Sequence, residues 1–205
     1  MPHGGGLSGL REAAAGCKAC PLWRGTTQTV FGEGPASATV MMVGEQPGDQ
    51  EDRRGHPFVG PAGRILDEAL QEAGVERRTV YVTNAVKHFK YTPQGKRRIH
   101  KKPNVSEMAA CKPWLEAEIQ RVKPAMIVAL GATAAQTLLG PATKITQIRG
   151  TVQSSQHGSV IATAHPSSIL RQRDDESRHA AMRDLVRDLR LVAGQVAKRI
   201  KAVTG

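Results

Sequence analysis

Aromatic side chains are scarce. Phe31, Phe58, Phe89, Tyr81, Tyr91, Trp23 and Trp114 are the whole set in 205 residues. Any of them beside a cationic stretch is therefore informative, because nucleobases stack on aromatic faces. Cysteine is scarcer still, with only Cys17, Cys20 and Cys111. In a reducing compartment an odd count points away from a disulfide framework. No apolar run reaches the roughly 18 residues of a membrane-spanning helix. The opening MPHGGGLSGLREAAAG lacks the charged-then-apolar order of a secretory signal. A cytoplasmic protein without a membrane partner is expected. No internal repeat or low-complexity linker divides the chain, so 1–205 is read as a single domain, expected to be a monomer.

Acidic residues are also outnumbered. Lys plus Arg is 29 and Asp plus Glu is 18, a formal net charge of +11. Much of the excess lies in one stretch, KHFKYTPQGKRRIHKK, residues 87–102, which holds seven Lys and Arg and no carboxylate. A basic surface attracts phosphate polymers and raises their encounter rate. Pro93, Gly95 and Pro103 mark 87–103 as loop, because Gly and Pro interrupt both regular periods. His100 sits in its densest part, KRRIH. A charge run alone is most often a solvated surface, so the rest of the chain has to decide.

Four short apolar runs read as strands buried on both faces. They are Ala38–Val43, Thr79–Thr83, Ala125–Leu130 and Val160–Ala164. Helical periodicity covers Leu7–Ala15, Ala62–Ala73 (stopped by Gly74), a stretch capped by Ser106 and kinked or restarted at Pro113, Ala132–Leu139, and a tail from Glu176 to about Val203. That tail turns Met182, Leu185, Val186, Leu189, Val192 and Val196 inward. Thr29–Gly32 reads as a short edge strand, and Ile145–Gln153 as strand and turn. Alternating strands and helices predict a parallel sheet covered on both faces.

In such a sheet the carboxyl ends of the strands share one edge, where ligands bind. Three polar loops follow strands there: Gly44-Glu45-Gln46-Pro47-Gly48-Asp49, Asn84 with the basic loop, and His165-Pro166-Ser167-Ser168. Glu45, Gln46, Asp49, Asn84, His100 and His165 are expected to meet in one cleft. Cys17 and Cys20 have the two-residue gap that lets neighbouring thiolates grip one metal centre. Cys20-Pro21 matches some iron–sulfur runs, and a redox pair is the rival reading.

The blocks GEQPGDQED, HPFVGPAG, TNAVKHFK and AHPSS, in this order, resemble the uracil-DNA glycosylase superfamily, nearest its iron–sulfur branch. The insertion QGKRRIHKK resembles the UdgX subgroup, in which the histidine of KRRIH bonds covalently to DNA. The resemblance runs from about Cys17 to Leu189. It implies a three-layer α/β/α sandwich with a four-stranded parallel sheet, and uracil-containing DNA, preferably single-stranded, as the partner. Where related proteins have a cysteine after the second strand, this chain has Lys87-His88. The resemblance therefore implies a [4Fe–4S] cluster on Cys17, Cys20, His88 and Cys111, with the N-terminal segment at about 10–30 binding it; Cys₃His zinc is the alternative.

By the same resemblance Phe58 stacks on uracil, Asn84 reads its edge, and Gly44 and Asp49 complete the pocket. His165 donates to O2, Glu45 serves as base or orienting group, and Gln46 positions. His100 is the expected nucleophile. Lys96, Arg97, Arg98, Lys101, Ser167, Ser168 and Arg171 are expected at phosphates or as loop anchors.

Overall fold

The four apolar runs form four neighbouring strands of a five-stranded sheet. The computed structural model describes residues 5–204, with side chains through residue 197; the Gly-rich start before residue 5 lies outside this range. In chain order the elements are α1 (Gly6–Ala15), β1 (Val40–Gly44), α2 (Asp49–Arg54), α3 (Pro61–Glu72), β2 (Val80–Asn84), β3 (Tyr91–Gln94), β4 (Arg97–His100), α4 (Val105–Val122), β5 (Met126–Leu130), α5 (Ala132–Leu139), α6 (Ile145–Ile148), β6 (Val152–Ser155), β7 (Gly158–Thr163), α7 (Pro166–Ile169) and α8 (Asp175–Thr204).

The strand order is β2-β1-β5-β7-β6. The first four strands are parallel, as expected from their double burial, and β6 adds an antiparallel fifth at the edge. Alternate residues of each strand enter opposite cores. Val40, Met42, Val82 and Val128 pack with Leu66 and Leu70 of α3 and with Leu185, Val186 and Leu189 of α8. Met41, Val43, Ile127 and Ala129 pack with Leu115 and Ile119 of α4 and with Ala134 and Leu138 of α5. The result is three layers. From β1 the chain moves one way to β2, and from β5 it moves the other way to β7. The sheet therefore changes winding direction between β1 and β5, where a crevice opens at the carboxyl ends.

Several local expectations change. The basic loop is a β-hairpin: Tyr91 pairs with His100 and Gln94 with Arg97. Gly95, at φ 57, supplies the left-handed residue of its two-residue turn. Gly and Pro interrupt regular structure in general, but a lone two-stranded ribbon tolerates Pro93 on its open edge. The cap of α4 is Asn104, whose side chain accepts from the Glu107 amide, rather than Ser106. That helix continues through Pro113; the carbonyl left without a donor belongs to exposed Ala109, where water can take it. Thr29–Gly32 is not a strand: next to β2 the segment makes a bond from Val30 N to Lys87 O at 2.8 Å, and an isolated bridge pairs the following Glu33 with Val82. Ile145–Gln153 divides into α6 and the start of β6.

A charged network lies beneath the end of β2. Lys87 and Glu118 are 1% and 0% exposed, and Lys87 Nζ donates to Glu118 Oε2 at 2.5 Å, to Thr83 Oγ1 at 2.6 Å and to Asn84 O at 2.7 Å. Tyr81 and the Gly32 amide donate to the other carboxylate oxygen, each at 3.0 Å. Removing one member strands a buried charge. Lys87→Met is expected to cost about 3–5 kcal/mol, read as a lower urea midpoint at unchanged slope.

Candidate active site

The crevice between β1 and β5 is a cleft of about 940 Å³, lined by Glu45, Gln46, Asp49, Phe58, Asn84, His100 and His165, with Lys102, Ser167 and Arg171 also contributing. The expected residues thus do converge. Gly44 makes the floor possible. A Cβ there would lie 2.4 Å from Asn84 Oδ1 and 2.8 Å from a Phe58 ring carbon, so only glycine admits both. Asn84 is 3% exposed, and its side-chain amide has no hydrogen-bond partner among the described residues. Both its donor and its acceptor are left for a ligand.

Phe58 has left-handed backbone at φ 56, a conformation that costs a non-glycine residue about 1–3 kcal/mol. Two features hold it. A Cβ on Gly63 would sit 1.8 Å from the Phe58 carbonyl oxygen, so α3 abuts this turn. The buried Glu51 carboxylate accepts from Gly48 N at 3.1 Å and Gly60 N at 2.7 Å, joining the loop after β1 to the loop carrying Phe58. The Phe58 ring stacks toward His165, with centroids 6.1 Å apart.

His165 Nδ1 accepts from Ser167 N at 3.1 Å and lies 2.8 Å from Ser167 Oγ. A nitrogen that accepts a backbone N–H carries no proton, so in the neutral ring the proton is on Nε2. Burial, reinforced by the charge of Arg171, pushes the imidazolium pKa down to about 4. His165 is therefore a neutral ring with a fixed N–H donor.

Glu45 and His100 face each other, Nε2 to Oε1 at 3.4 Å. The other Glu45 oxygen accepts from the hydroxyl of Thr133, in the first turn of α5. Gln46 lines the cleft, but its amide is committed to the hairpin. Its amide NH₂ donates to Lys90 O and Lys101 O, each at 3.1 Å, and its carbonyl accepts from Lys90 N at 3.0 Å. It clasps both strands of the hairpin at their root.

Residues 31–190 match the family described as the uracil DNA glycosylase superfamily. The chain belongs to the uracil-DNA glycosylase superfamily. It is 42% identical over 178 residues to a type-4 uracil-DNA glycosylase of Thermotoga maritima, covering 86% of this chain and 89% of that protein. A type-4 uracil-DNA glycosylase of Pyrobaculum aerophilum is 38% identical over 174 residues, 81% of this chain and 85% of that protein. A type-5 uracil-DNA glycosylase of the same organism is 33% identical over 159 residues, 66% of this chain and 64% of that protein.

Within this superfamily member the cationic residues divide into two groups. Lys96, Arg97, Lys101 and Arg171 are exposed. Arg98 is not a free phosphate contact. It binds Asp49 Oδ1 at 2.5 Å and Asp52 Oδ2 at 2.6 Å, and its guanidinium lies over Phe89 and Tyr91 at 5.4 and 5.1 Å. Asp49 lines the cleft but is committed to this latch. Burial alone raises its carboxyl; hydrogen bonds from Arg53 and Arg98 outweigh that and hold it below the usual range. Ser168 Oγ donates to His165 O at 2.7 Å, and Ser167 Oγ accepts from Arg171 Nη1 at 3.0 Å, so both serines support the histidine turn. Sequence reasoning missed Thr133, which follows the third apolar strand at the same edge as the three loops it did consider.

The thiols lie near one another: Cys17 and Cys20 both act on the Cys111 thiol, which burial pushes up to about 11. Trp114 Nε1 donates to Cys17 Sγ and Lys87 N to Cys111 Sγ, each at 3.2 Å. His88 is 4% exposed, with Nε2 and Thr29 Oγ1 3.0 Å apart; its Nδ1 has no protein partner among the described residues. Sulfurs receiving N–H bonds and a histidine fixed through one nitrogen suit metal ligation. Among the described residues no three Cys, His, Asp or Glu groups gather tightly enough for a single ion. No described helix is long and apolar enough to cross a membrane.

Two expectations follow. With four exposed cations on the phosphates of a single strand, affinity should fall with salt at a log–log slope of about −3. Lys96→Ala should make that slope shallower by about 0.7, whereas Arg98→Ala should leave it unchanged and loosen the hairpin. Further, free histidine takes its proton near ~6.5, while folded His165 stays neutral to about pH 4. Between those values acid favours the unfolded chain. The melting temperature lost between pH 7 and pH 5 should thus be smaller in His165→Asn than in wild type.

Proposed function

We propose that this protein removes uracil from DNA, preferably from a single strand, and that the cleft reads the extruded base. The observation that carries the reading is the unpartnered Asn84 amide beside Phe58, in a cleft that His165 also lines. A base in a duplex is out of reach and has to be flipped or met unpaired. Phe58 stacks on it. The Asn84 amide donates to O4 and accepts from N3–H. Cytosine mismatches both contacts, and a buried polar site rejects a ligand that leaves its groups unpaired. His165 Nε2–H donates to O2, favouring the negative charge that develops as the glycosidic bond breaks, an effect worth roughly 3–4 kcal/mol for one donor.

The relatives named type-4 uracil-DNA glycosylases support ordinary turnover, in which Glu45 activates a water for attack on C1′. A second reading draws its support from the Glu45–His100 pair, in which a ring nitrogen lies 3.4 Å from the carboxylate proposed as base. In that reading His100 Nε2 bonds to C1′ as the bond from C1′ to uracil N1 breaks. The electron pair leaves on uracil, and Glu45 takes the ring's Nε2 proton. The product is a neutral imidazole on the sugar, with no activated leaving group, so the protein acts once. This is the UdgX-type behaviour, with His100 as catalytic nucleophile.

We further propose that Cys17, Cys20, Cys111 and His88 hold a [4Fe–4S] cluster. The N–H bonds to sulfur and the anchored His88 support it, and four irons can take ligands spread more widely than one zinc allows. When bound, it supplies a cross-link between the N-terminal segment, the hairpin root and α4.

Mixing the protein with a uracil-containing single-stranded oligonucleotide separates the two fates. Covalent capture gives one equivalent of a protein–DNA species that survives boiling in detergent. His100→Ser loses that species and releases abasic DNA instead. Many turnovers in wild type with no adduct establish hydrolysis and exclude capture. No uracil release in either form rejects the glycosylase reading.

A further inference from the structure

Glu45 is asked to act as a base, or to orient one, in both versions of the reaction. A glutamate's terminal torsion is broad and roughly two-fold, so a carboxylate held only by its stem does not point one oxygen reliably. Thr133 addresses that. It is 3% exposed, in the first turn of α5 immediately after β5, and it lines the same cleft. Its hydroxyl donates to Glu45 Oε2, while Glu45 Oε1 faces His100 Nε2 at 3.4 Å. An ionised carboxylate only accepts, so the direction of the threonine bond is fixed. One oxygen is occupied and the other is turned to the reacting side. Donor, acid and ring form a line of three, the arrangement in which a nucleophile's base is itself oriented by a further group.

We propose that Thr133 is a positioning residue for the sugar step, acting through Glu45 and touching neither uracil nor DNA. The inference rests on the glycosylase reading and holds for either nucleophile, water or His100, because both depend on the free Glu45 oxygen. The position itself has a structural basis. Gly131, at φ 90, turns the chain from β5 into α5, and a Cβ there would press to 3.0 Å from His165 Cβ. The strand-to-helix turn that seats Thr133 against Glu45 therefore also packs against the histidine turn. The two sides of the reaction, base departure and attack at C1′, are braced by one piece of backbone.

The test is single-turnover release of uracil from a single-stranded oligonucleotide, with DNA affinity measured separately. The proteins are wild type, Thr133→Val, Thr133→Ser, Glu45→Gln and the Glu45→Gln/Thr133→Val double variant. Valine matches threonine in shape and removes the donor. It should slow the bound step about tenfold to a hundredfold, the range for losing a hydrogen bond to a charged group, with DNA affinity within about twofold of wild type. Serine should regain most of the lost rate. In the Glu45→Gln background valine should add little, because residues acting as one unit are not additive. Should the valine variant fail to fold, Thr133→Ala carries the same comparison. The proposal is overturned if valine leaves the rate unchanged, weakens DNA binding by the same factor, or slows the Glu45→Gln protein as much as wild type. Wild type that releases no uracil removes the glycosylase reading and this inference together, and is seen before any variant is made.

Discussion

The site depends on how a surface hairpin is fastened to the edge of a buried sheet. A single amide, that of Gln46, makes three hydrogen bonds to the two strands where they leave the body, to Lys90 N, Lys90 O and Lys101 O. Gln46 itself sits in the loop immediately after β1, and the β1–β2 pairing continues into that loop through Val86 N to Glu45 O at 3.0 Å. A ribbon of two strands is marginal by itself in water. Here its root is continuous with the most buried part of the molecule, and Arg98 fixes its far strand to Asp49 and Asp52. His100 is thereby held opposite Glu45, although its side chain is half exposed.

The charges of the chain serve two purposes. In the proposed reading, exposed Lys96, Arg97, Lys101 and Arg171 supply the long-range attraction that positions a phosphate chain without reading it. Arg98, Lys87 and Lys90 look identical in the sequence but are consumed inside the protein. Lys90 pairs with Glu107 at 2.7 Å, and Lys87 supports the carbonyl of Asn84 from below. The count of seven Lys and Arg in residues 87–102 therefore overstates the cations that the hairpin presents to a ligand.

The sheet and its helices were legible because double burial and helical periodicity are local signals. Val40–Val43, Val80–Thr83 and Met126–Leu130 are uninterrupted apolar or small-residue runs, and the inward stripe of α8 follows its 3.6-residue period. The convergence of Glu45, Asn84 and His165 followed from topology alone, since parallel strands bring their ends to one edge. The hairpin was not legible, because its pairing depends on tertiary anchors at Gln46 and Asp52 that are 44 and 46 residues away in sequence from the groups they bind. The fate of Arg98 was hidden for the same reason. Asn104 replaced Ser106 as a cap because both residue types cap equally well and only the start of the helix separates them. Thr133 was within reach of the edge argument, and its omission came from leaving the end of the third strand without a polar loop.

The claim on which the rest stands is that the hairpin is fastened before DNA arrives. Hydrogen exchange of the DNA-free protein over residues 89–102 measures it directly. The amide of Lys90, bonded to Gln46, and that of Lys101, bonded across the hairpin to Lys90, should exchange far more slowly than those of an unstructured chain, and Gln46→Ala should release both. Exchange at the free-chain rate in the wild type, with protection gained only on adding DNA, would contradict the account.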